Sequence, residues 1–390
     1  MKKRIIFVLE ALWVGGIETA LTNLLNRLDY EKYDVTCLIV RNYTELAYRV
    51  PPQCRLIVAD RQQAVSFREP YRYGRLYGLM EEPQTGGKFR RFEWKAAHAL
   101  LRAPEMRLYA DYIKKQLNGE HFDTAVIYSD RTAEIAVRSI RADKYLLYYH
   151  NALIEKAYHD EIGYQKSEKI ISVSEEKCAA LKQFRPKYAD KMIAVHNIVN
   201  IEEICRKSRE SANDMTRDKG FCLVTCGRLC HQKGIDWAIT ACRELLKRGY
   251  GDIQWYIVGG GPDEVMLRQL AKSAEVEEHF HFLGMKENPY PYIAGADLYV
   301  QPSRYENYSV VILEAMALCK PILATIPAAR EQITSGKNGF LCEDSPEKIA
   351  KGIAYLHDRP DVRSGFVREL SENGLEKQNL AILKQLEQLL

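Results

Sequence analysis

Gln301-Pro302-Ser303-Arg304-Tyr305-Glu306-Asn307-Tyr308-Ser309-Val310-Val311-Ile312-Leu313-Glu314-Ala315-Met316-Ala317 is the stretch that decides the reading of this chain. The apolar run Ala296-Asp297-Leu298-Tyr299-Val300 leads into it and predicts a buried strand of a parallel sheet. A short polar loop follows, and Val310 to Leu318 predicts a mostly apolar helix. Strand, loop and helix N-terminus together form an anion-binding geometry, because the first turn offers unpaired N–H groups and the positive end of the dipole. Glu306 and Glu314 frame the loop and first turns, and neither belongs to a run of solvated charge. A carboxylate inside Val-Ile-Leu-Glu-Ala-Met-Ala needs a partner. The hydroxyls of a ribose or a sugar would supply one for Glu314, and a structural carboxylate in an ordinary βα unit is the plainer alternative.

Working outward, 390 residues are enough for two domains with real cores, and the alternation of apolar runs with helical stretches indicates an α/β chain. A net charge of +4 gives no argument for nucleic acid. Ten cysteines in this length do not make a disulfide framework; Cys37, Cys222, Cys226 and Cys319 lie in apolar segments and read as small core residues. Cys226, Cys230 and His231 invite a zinc reading but lack a second cysteine pair, so no metal is expected. Met1 to Leu9 resembles the start of a signal peptide, yet the apolar run stops at Glu10, and a first β-strand is the better reading. No run of 18 apolar residues is present to span a membrane.

The N-terminal half reads as strand Lys3 to Leu9, a loop ending in Gly15-Gly16, and a helix from Ile17. The glycines would let a ligand approach the backbone, or simply make a tight turn. Strands are expected over 35–40, 55–58, 122–128, 144–149, 169–173 and 191–195. His150 follows one of these strands, at the end where open α/β sheets bind ligands, and could exchange a proton or bond a hydroxyl near neutral pH. Ser174 is placed to cap a helix over 175–184. Residues 61–115 differ in character: Arg68, Arg72, Arg75, Lys88, Arg90, Arg91, Lys95, Arg102 and Arg107 alternate with Phe67, Tyr71, Tyr73, Tyr77, Phe89, Phe92 and Trp94. This is either an amphipathic helix pair with a solvated basic face or a surface that meets anionic lipid.

Residues 201–219 are polar and read as a linker. A second strand–loop–helix series then opens with Phe221 to Cys226 and Gly227-Arg228, followed by Lys233-Gly234 and a helix over 235–248. Arg228 and Lys233, above a strand end and opposite the Glu306 loop, would hold a diphosphate from two sides. Strands over 253–258 and 280–283, the Gly259-Gly260-Gly261-Pro262 loop, a strand over 321–324, a helix begun by Ser345-Pro346 and an amphipathic helix over 378–390 complete the chain. The backbone near Leu283 would meet a flat base.

The chain resembles the retaining nucleotide-sugar glycosyltransferases of family 4, of the bacterial polysaccharide and cell-envelope type. The resemblance rests on Gly15-Gly16, His150-Asn151, Gly227-Arg228-Leu229 with Lys233-Gly234, Gly259-Gly260-Gly261-Pro262, Phe282-Leu283-Gly284, Ser303-Arg304-Tyr305-Glu306, Glu314-Ala315-Met316-Ala317 and Asn338-Gly339-Phe340. Glu306 and Glu314 match the family signature of two glutamates with seven residues between them. Where the family usually has glycine after the first glutamate, this chain has Asn307.

That resemblance implies a GT-B fold: two Rossmann-like α/β domains facing each other across a cleft, with residues 1–200 binding acceptor, 201–375 binding the nucleotide sugar, and a terminal helix over 376–390 returning across the boundary. It implies metal-independent transfer of a hexose or related sugar, with retention, from a nucleotide-diphosphate sugar (UDP-sugar foremost) to a glycan or lipid-linked acceptor. Arg228 and Lys233 would bind the diphosphate and stabilise leaving-group charge. Glu306 would sit near the donor sugar with the backbone of Asn307, Ser309 and Val310, and Glu314 would bond the ribose. His150 would contact a sugar hydroxyl across the cleft, and Gly16 would give a backbone contact. No cofactor and no nucleic acid are expected, and the setting would be cytoplasmic, at the inner face of the membrane with contact to anionic lipid. A nucleotide-sugar epimerase of the same fold and a non-catalytic sugar-nucleotide-binding adaptor are the alternatives. A nicotinamide dehydrogenase is disfavoured by the glycine spacing and by Val40-Arg41 at the end of the second strand.

Overall fold

The computed structural model describes residues 1–59, 106–154, 161–216, 220–372 and 374–390. The basic and aromatic residues from Phe67 to Arg102 lie outside the described residues; Arg107 falls in a helical segment, 106–116. The chain divides into two units, one made of Met1–Ser172, Cys178–Ala194 and Leu390, the other of Val173–Lys177 and Val195–Leu389.

The first unit is built on strands β1 (Lys3–Leu9), β2 (Tyr33–Ile39), β3 (Arg55–Val58), β4 (His121–Ile127), β5 (Arg141–Tyr149), β6 (Lys169–Ser172) and β7 (Met192–Ala194). They form one parallel sheet in the order β3-β2-β1-β4-β5-β6-β7. Both faces of such a sheet are covered, which is why β1 and β2 read as continuous apolar runs rather than alternating ones. Ile6, Val8, Leu38, Ile127, Leu147 and Ile170 are sealed in one core on one face. The loop after β1 enters the helix Gly16–Leu25 through an extended Gly15. In the segment Val173–Lys177, which falls with the second unit, Ser174 Oγ accepts from the Lys177 N–H at 3.1 Å and fixes the start of the helix Glu175–Phe184 as its sequence indicated.

The second unit carries β8 (Phe221–Cys226), β9 (Ile253–Val258), β10 (Phe280–Gly284), β11 (Leu298–Gln301), β12 (Ile322–Thr325) and β13 (Phe340–Cys342). Its sheet is also parallel, in the order β10-β9-β8-β11-β12-β13. The order reverses at β8, so the loops after β8 and β11 flank the topological switch point, where open α/β sheets bind ligands. Trp255, Leu223, Val300 and Leu323 pack with Ile239, Ile349 and Ile353 of two amphipathic helices, Ile235–Lys247 and Pro346–Asp358. Ser345 Oγ accepts from the Lys348 N–H and caps the second of these, with Pro346 at its first position.

Two expectations change. The polar stretch taken as a linker begins with a helix, Ile201–Lys207. Asn200 caps it by accepting from the Glu203 N–H, and glutamates in its first turn and basic residues in its last suit the dipole, so it forms without a long apolar stripe. The terminal helix starts earlier, at Leu375, and ends at Glu387. Asn379, almost fully buried, donates to the Val199 carbonyl at 2.8 Å. Leu390 falls with the first unit, and its carbonyl accepts from Thr124 Oγ1 at 3.0 Å.

Candidate active site

Three loops of the second unit converge: the one after β8, the one after β9 and the one after β11. Gly259 takes φ +150°, and a Cβ there would lie 1.9 Å from the Gly227 carbonyl oxygen. The absence of a side chain is what lets the β8 and β9 loops touch, and the Leu229 N–H donates to the Gly260 carbonyl at 3.0 Å. Gly234 sits in the left-handed region at φ +64°, with its would-be Cβ 2.1 Å from the Pro302 carbonyl oxygen. The β8 and β11 loops therefore meet backbone to backbone.

On this base Lys233 and Glu306 come together. Lys233 Nζ donates to Glu306 Oε1 at 2.6 Å, with both side chains largely buried. The same oxygen accepts from Ser303 Oγ at 2.8 Å and from Gln301 Nε2 at 3.3 Å, while Gln232 Nε2 reaches Oε2 at 3.4 Å. Ser303 is held by Gln301, whose Oε1 takes a bond from the buried Tyr299 hydroxyl. Glu306 is thus a carboxylate fixed in a chain of neutral donors that ends on one cation. Such a network orients a charge without needing solvent.

The helix Val310–Ala317 follows at once. Gln332 pins its entry, accepting from the Ser309 N–H and donating to the Ser309 carbonyl, both at 2.9 Å. Asn338 Nδ2 in turn donates to the Gln332 carbonyl at 3.1 Å. No side chain caps the helix, so its first N–H groups and dipole stay available to an anion. Asn307 is not among the non-glycine residues with positive φ, so the position that is glycine in the resembled family does not need glycine's freedom here.

Glu314 is buried, and Tyr290 Oη donates to its Oε1 at 3.1 Å. A tyrosine 24 residues upstream thus supplies one partner within the fold. Arg228 is exposed, and its guanidinium bonds to no side chain or carbonyl among the described residues. That contrast with Lys233 leaves it available to a ligand. Leu283 lines a cavity of about 550 Å³ at the β10 edge, beside Gln254, Tyr256, Arg268 and His281. Gly16, in the first unit, opens its helix, and a Cβ there would meet nothing within 4 Å.

His150, also in the first unit, follows β5 and is half-buried. Its ring lies 4.8 Å from that of Tyr128 and 5.6 Å from that of Tyr148. Its Nε2 is sealed from solvent and finds no hydrogen-bond partner among the described residues. Burial lowers its pKa to about 3, which favours the neutral ring at pH 7. A neutral ring is able to bond a hydroxyl.

The sign of the pH effect follows. The unfolded chain takes up a proton on this histidine below about pH 6.5, whereas the folded protein does so only near pH 3. Stability therefore falls as pH drops through that window. His150→Gln is expected to lose less stability than wild type between pH 7 and 4.5, by about 2–3 kcal/mol, in urea melts at the two pH values. Equal losses would show that the folded ring protonates like a free one.

Among the described residues no group of three His, Cys, Asp or Glu is arranged to hold a metal. Cys226 is fully enclosed, and burial followed by the nearby Glu314 charge pushes its thiol well up, which does not suit a thiolate ligand.

Residues 207–375 match the family model described as glycosyl transferases group 1. A 172-residue segment is 31% identical to a protein of Haemophilus influenzae described as an uncharacterized glycosyltransferase, covering 42% of this chain and 48% of that one. The chain thus spans about half the length of that relative. Among solved structures, Anabaena HepE in complex with UDP and glucose is similar over 98% of this chain and 99% of its own, at 15% identity and a TM-score of 0.71. S. aureus TarM, in complex with UDP and saccharide ligands, is similar over 99% of both chains at 13% identity and a TM-score of 0.72. At such identity the likeness shows the fold, which is the GT-B architecture of two Rossmann-like α/β units.

Proposed function

We propose that this chain is a retaining glycosyltransferase that moves a hexose or related sugar from a nucleotide-diphosphate sugar, with UDP as the leading nucleotide, to a glycan or lipid-linked acceptor. The observation that carries the reading is the Lys233–Glu306 pair at the open N-terminus of Val310–Ala317, with the unpartnered Arg228 on the same β8 loop. Two cations and a helix dipole answer the two negative charges of a diphosphate. The match of this half of the chain to the glycosyl transferase model, and the nucleotide in the similar structures, support it.

In this reading Arg228 binds the diphosphate from solvent. Lys233 is presented by Glu306 and leaves it in part for the incoming phosphate oxygens. As the bond between sugar and diphosphate breaks, negative charge gathers on the departing oxygen, and these cations stabilise it where it forms. Glu314 and Tyr290 offer the ribose an oriented carboxylate. His150, neutral, bonds a hydroxyl of the sugar, and Gly16 admits phosphate or sugar against the backbone. The N-terminal unit receives the acceptor. No helix among the described residues is long and apolar enough to cross a membrane. The basic and aromatic composition of 61–115 supports a lipid-linked acceptor at the inner face of the cytoplasmic membrane.

The test is nucleotide release from UDP-, GDP- and ADP-sugars, with chelator and with magnesium. One nucleotide should be released slowly, insensitive to chelator, and the rate should fall about 10²-fold in Arg228→Ala with an unchanged melting temperature. Sugar interconversion without transfer would favour an epimerase. Tight binding with neither release nor transfer to any acceptor would favour an adaptor, and no binding at all would end the nucleotide-sugar reading.

A further inference from the structure

The side chain of Arg304 lies between the two loops that carry Lys233 and Glu306 but touches neither residue's charged group. Nη1 donates to the His231 carbonyl at 2.7 Å and to Asp236 Oδ1 at 2.7 Å, and Nη2 donates to Asp236 Oδ2 at 2.6 Å. The guanidinium also lies 4.1 Å from the centre of the Trp237 ring, and the side chain is only 15% exposed. Its backbone N–H donates to the Gln232 carbonyl at 2.8 Å. The short turn His231–Lys233 is thereby held on both sides, by its own carbonyls and by the first turn of the helix Ile235–Lys247. Gln232 returns the tie, donating to the Tyr305 carbonyl at 3.0 Å. Trp237 also packs against the core cluster that holds Leu229, Ile235 and Ala238.

The pattern is that of a planar, bidentate clamp. A guanidinium can satisfy a carboxylate, a carbonyl and an aromatic face at once, whereas an ammonium cannot. We infer that Arg304 is the positioning residue of the cationic site: it locks the His231–Lys233 turn onto the Pro302–Glu306 loop and so fixes where the Lys233 ammonium reaches. This rests on the nucleotide-sugar reading above. It adds that only the Lys233 side chain swings when a diphosphate competes with Glu306, because the backbone beneath it is tied. A cation displaced by about 1 Å loses much of its hold on the reacting group, which can cost about 10²-fold.

The test is a double-mutant cycle with Arg304→Lys and Lys233→Met, read as UDP release from UDP-glucose and as UDP affinity. Arg304→Lys preserves charge, and folding is checked by its melting temperature. Its kcat should fall about 10- to 100-fold with little change in KM. Combined with Lys233→Met it should add almost nothing, since a clamp has no further effect once the group it places is gone. Fluorine resonances of 5-fluorotryptophan protein should shift for Trp237 in Arg304→Lys. Losses that multiply in the double variant, or a fall in kcat that merely tracks lost folded protein, overturn the clamp. If wild type binds and releases none of UDP, GDP and ADP from their sugars, the nucleotide-sugar reading itself fails, and the clamp's role falls with it; if it uses GDP or ADP instead, the same cycle is read with that nucleotide.

Discussion

Lys233→Ala is expected to reduce turnover of the nucleotide-sugar donor about 10²- to 10³-fold while leaving the fold in place. The size comes from what the ammonium does in the proposed reaction. It meets a charge that grows as the leaving group departs, in a pocket of bonds that exclude water, and one preorganised donor there is worth several kcal/mol. The structural cost is smaller. Removing Lys233 takes one bond from Glu306, but Ser303, Gln301 and Gln232 still donate to that carboxylate. A buried carboxylate that keeps three neutral donors should lose about 1–3 kcal/mol of stability. Urea melts set against kcat for UDP release would separate the two effects. A rate loss no greater than the loss of folded protein would remove Lys233 from the chemistry and leave it as a structural counter-ion.

The strands and the anchor motif were legible because a parallel sheet covered on both faces writes itself as unbroken apolar runs. Ser174 and Ser345 were legible as caps because the cap and the bond it makes are three residues apart. The partners of the site were not. Gln232 and Glu306 are 74 positions apart, Gln332 and Ser309 are 23 apart, and neutral amides carry no pattern that announces such a bond. Glu314 shows the limit well. Its apolar surroundings demand a partner, but nothing local points to Tyr290, which supplies one. Arg304 stood inside the anchor motif yet gave no sign of its task, which depends on Asp236 and Trp237 in the first turn of another helix. The helix Ile201–Lys207 escaped because its seven residues are too few for periodicity to register, and the cap and terminal charges that make it are the only signal.

Gly259→Ala is expected to be strongly damaging to the second unit, and the reason lies in backbone geometry. At φ +150° an alanine is strained, and its Cβ would fall 1.9 Å from the Gly227 oxygen and 2.9 Å from the Gly227 carbon. The obstacle is backbone, held by the Gly227 N–H bond to Val258 at 3.0 Å and the Gly259 N–H bond to Gly284 at 2.9 Å. Neither strand end can yield without breaking these, so a loss of about 3–5 kcal/mol is expected, a fall of about 10 °C in the unit's melting temperature. Gly260→Ala, one residue on, is the control. Its Cβ would meet Met285 Cγ at 2.9 Å, but that methionine is exposed and flexible, so the cost should stay below about 1 kcal/mol. Because Gly227 precedes Arg228, whatever structure Gly259→Ala retains should carry a displaced Arg228. UDP affinity, measured well below the melting temperature, should therefore fall more in Gly259→Ala than in Gly260→Ala. Equal melting temperatures and equal affinities in the two variants would mean that the close contact of the β8 and β9 loops does not build the site.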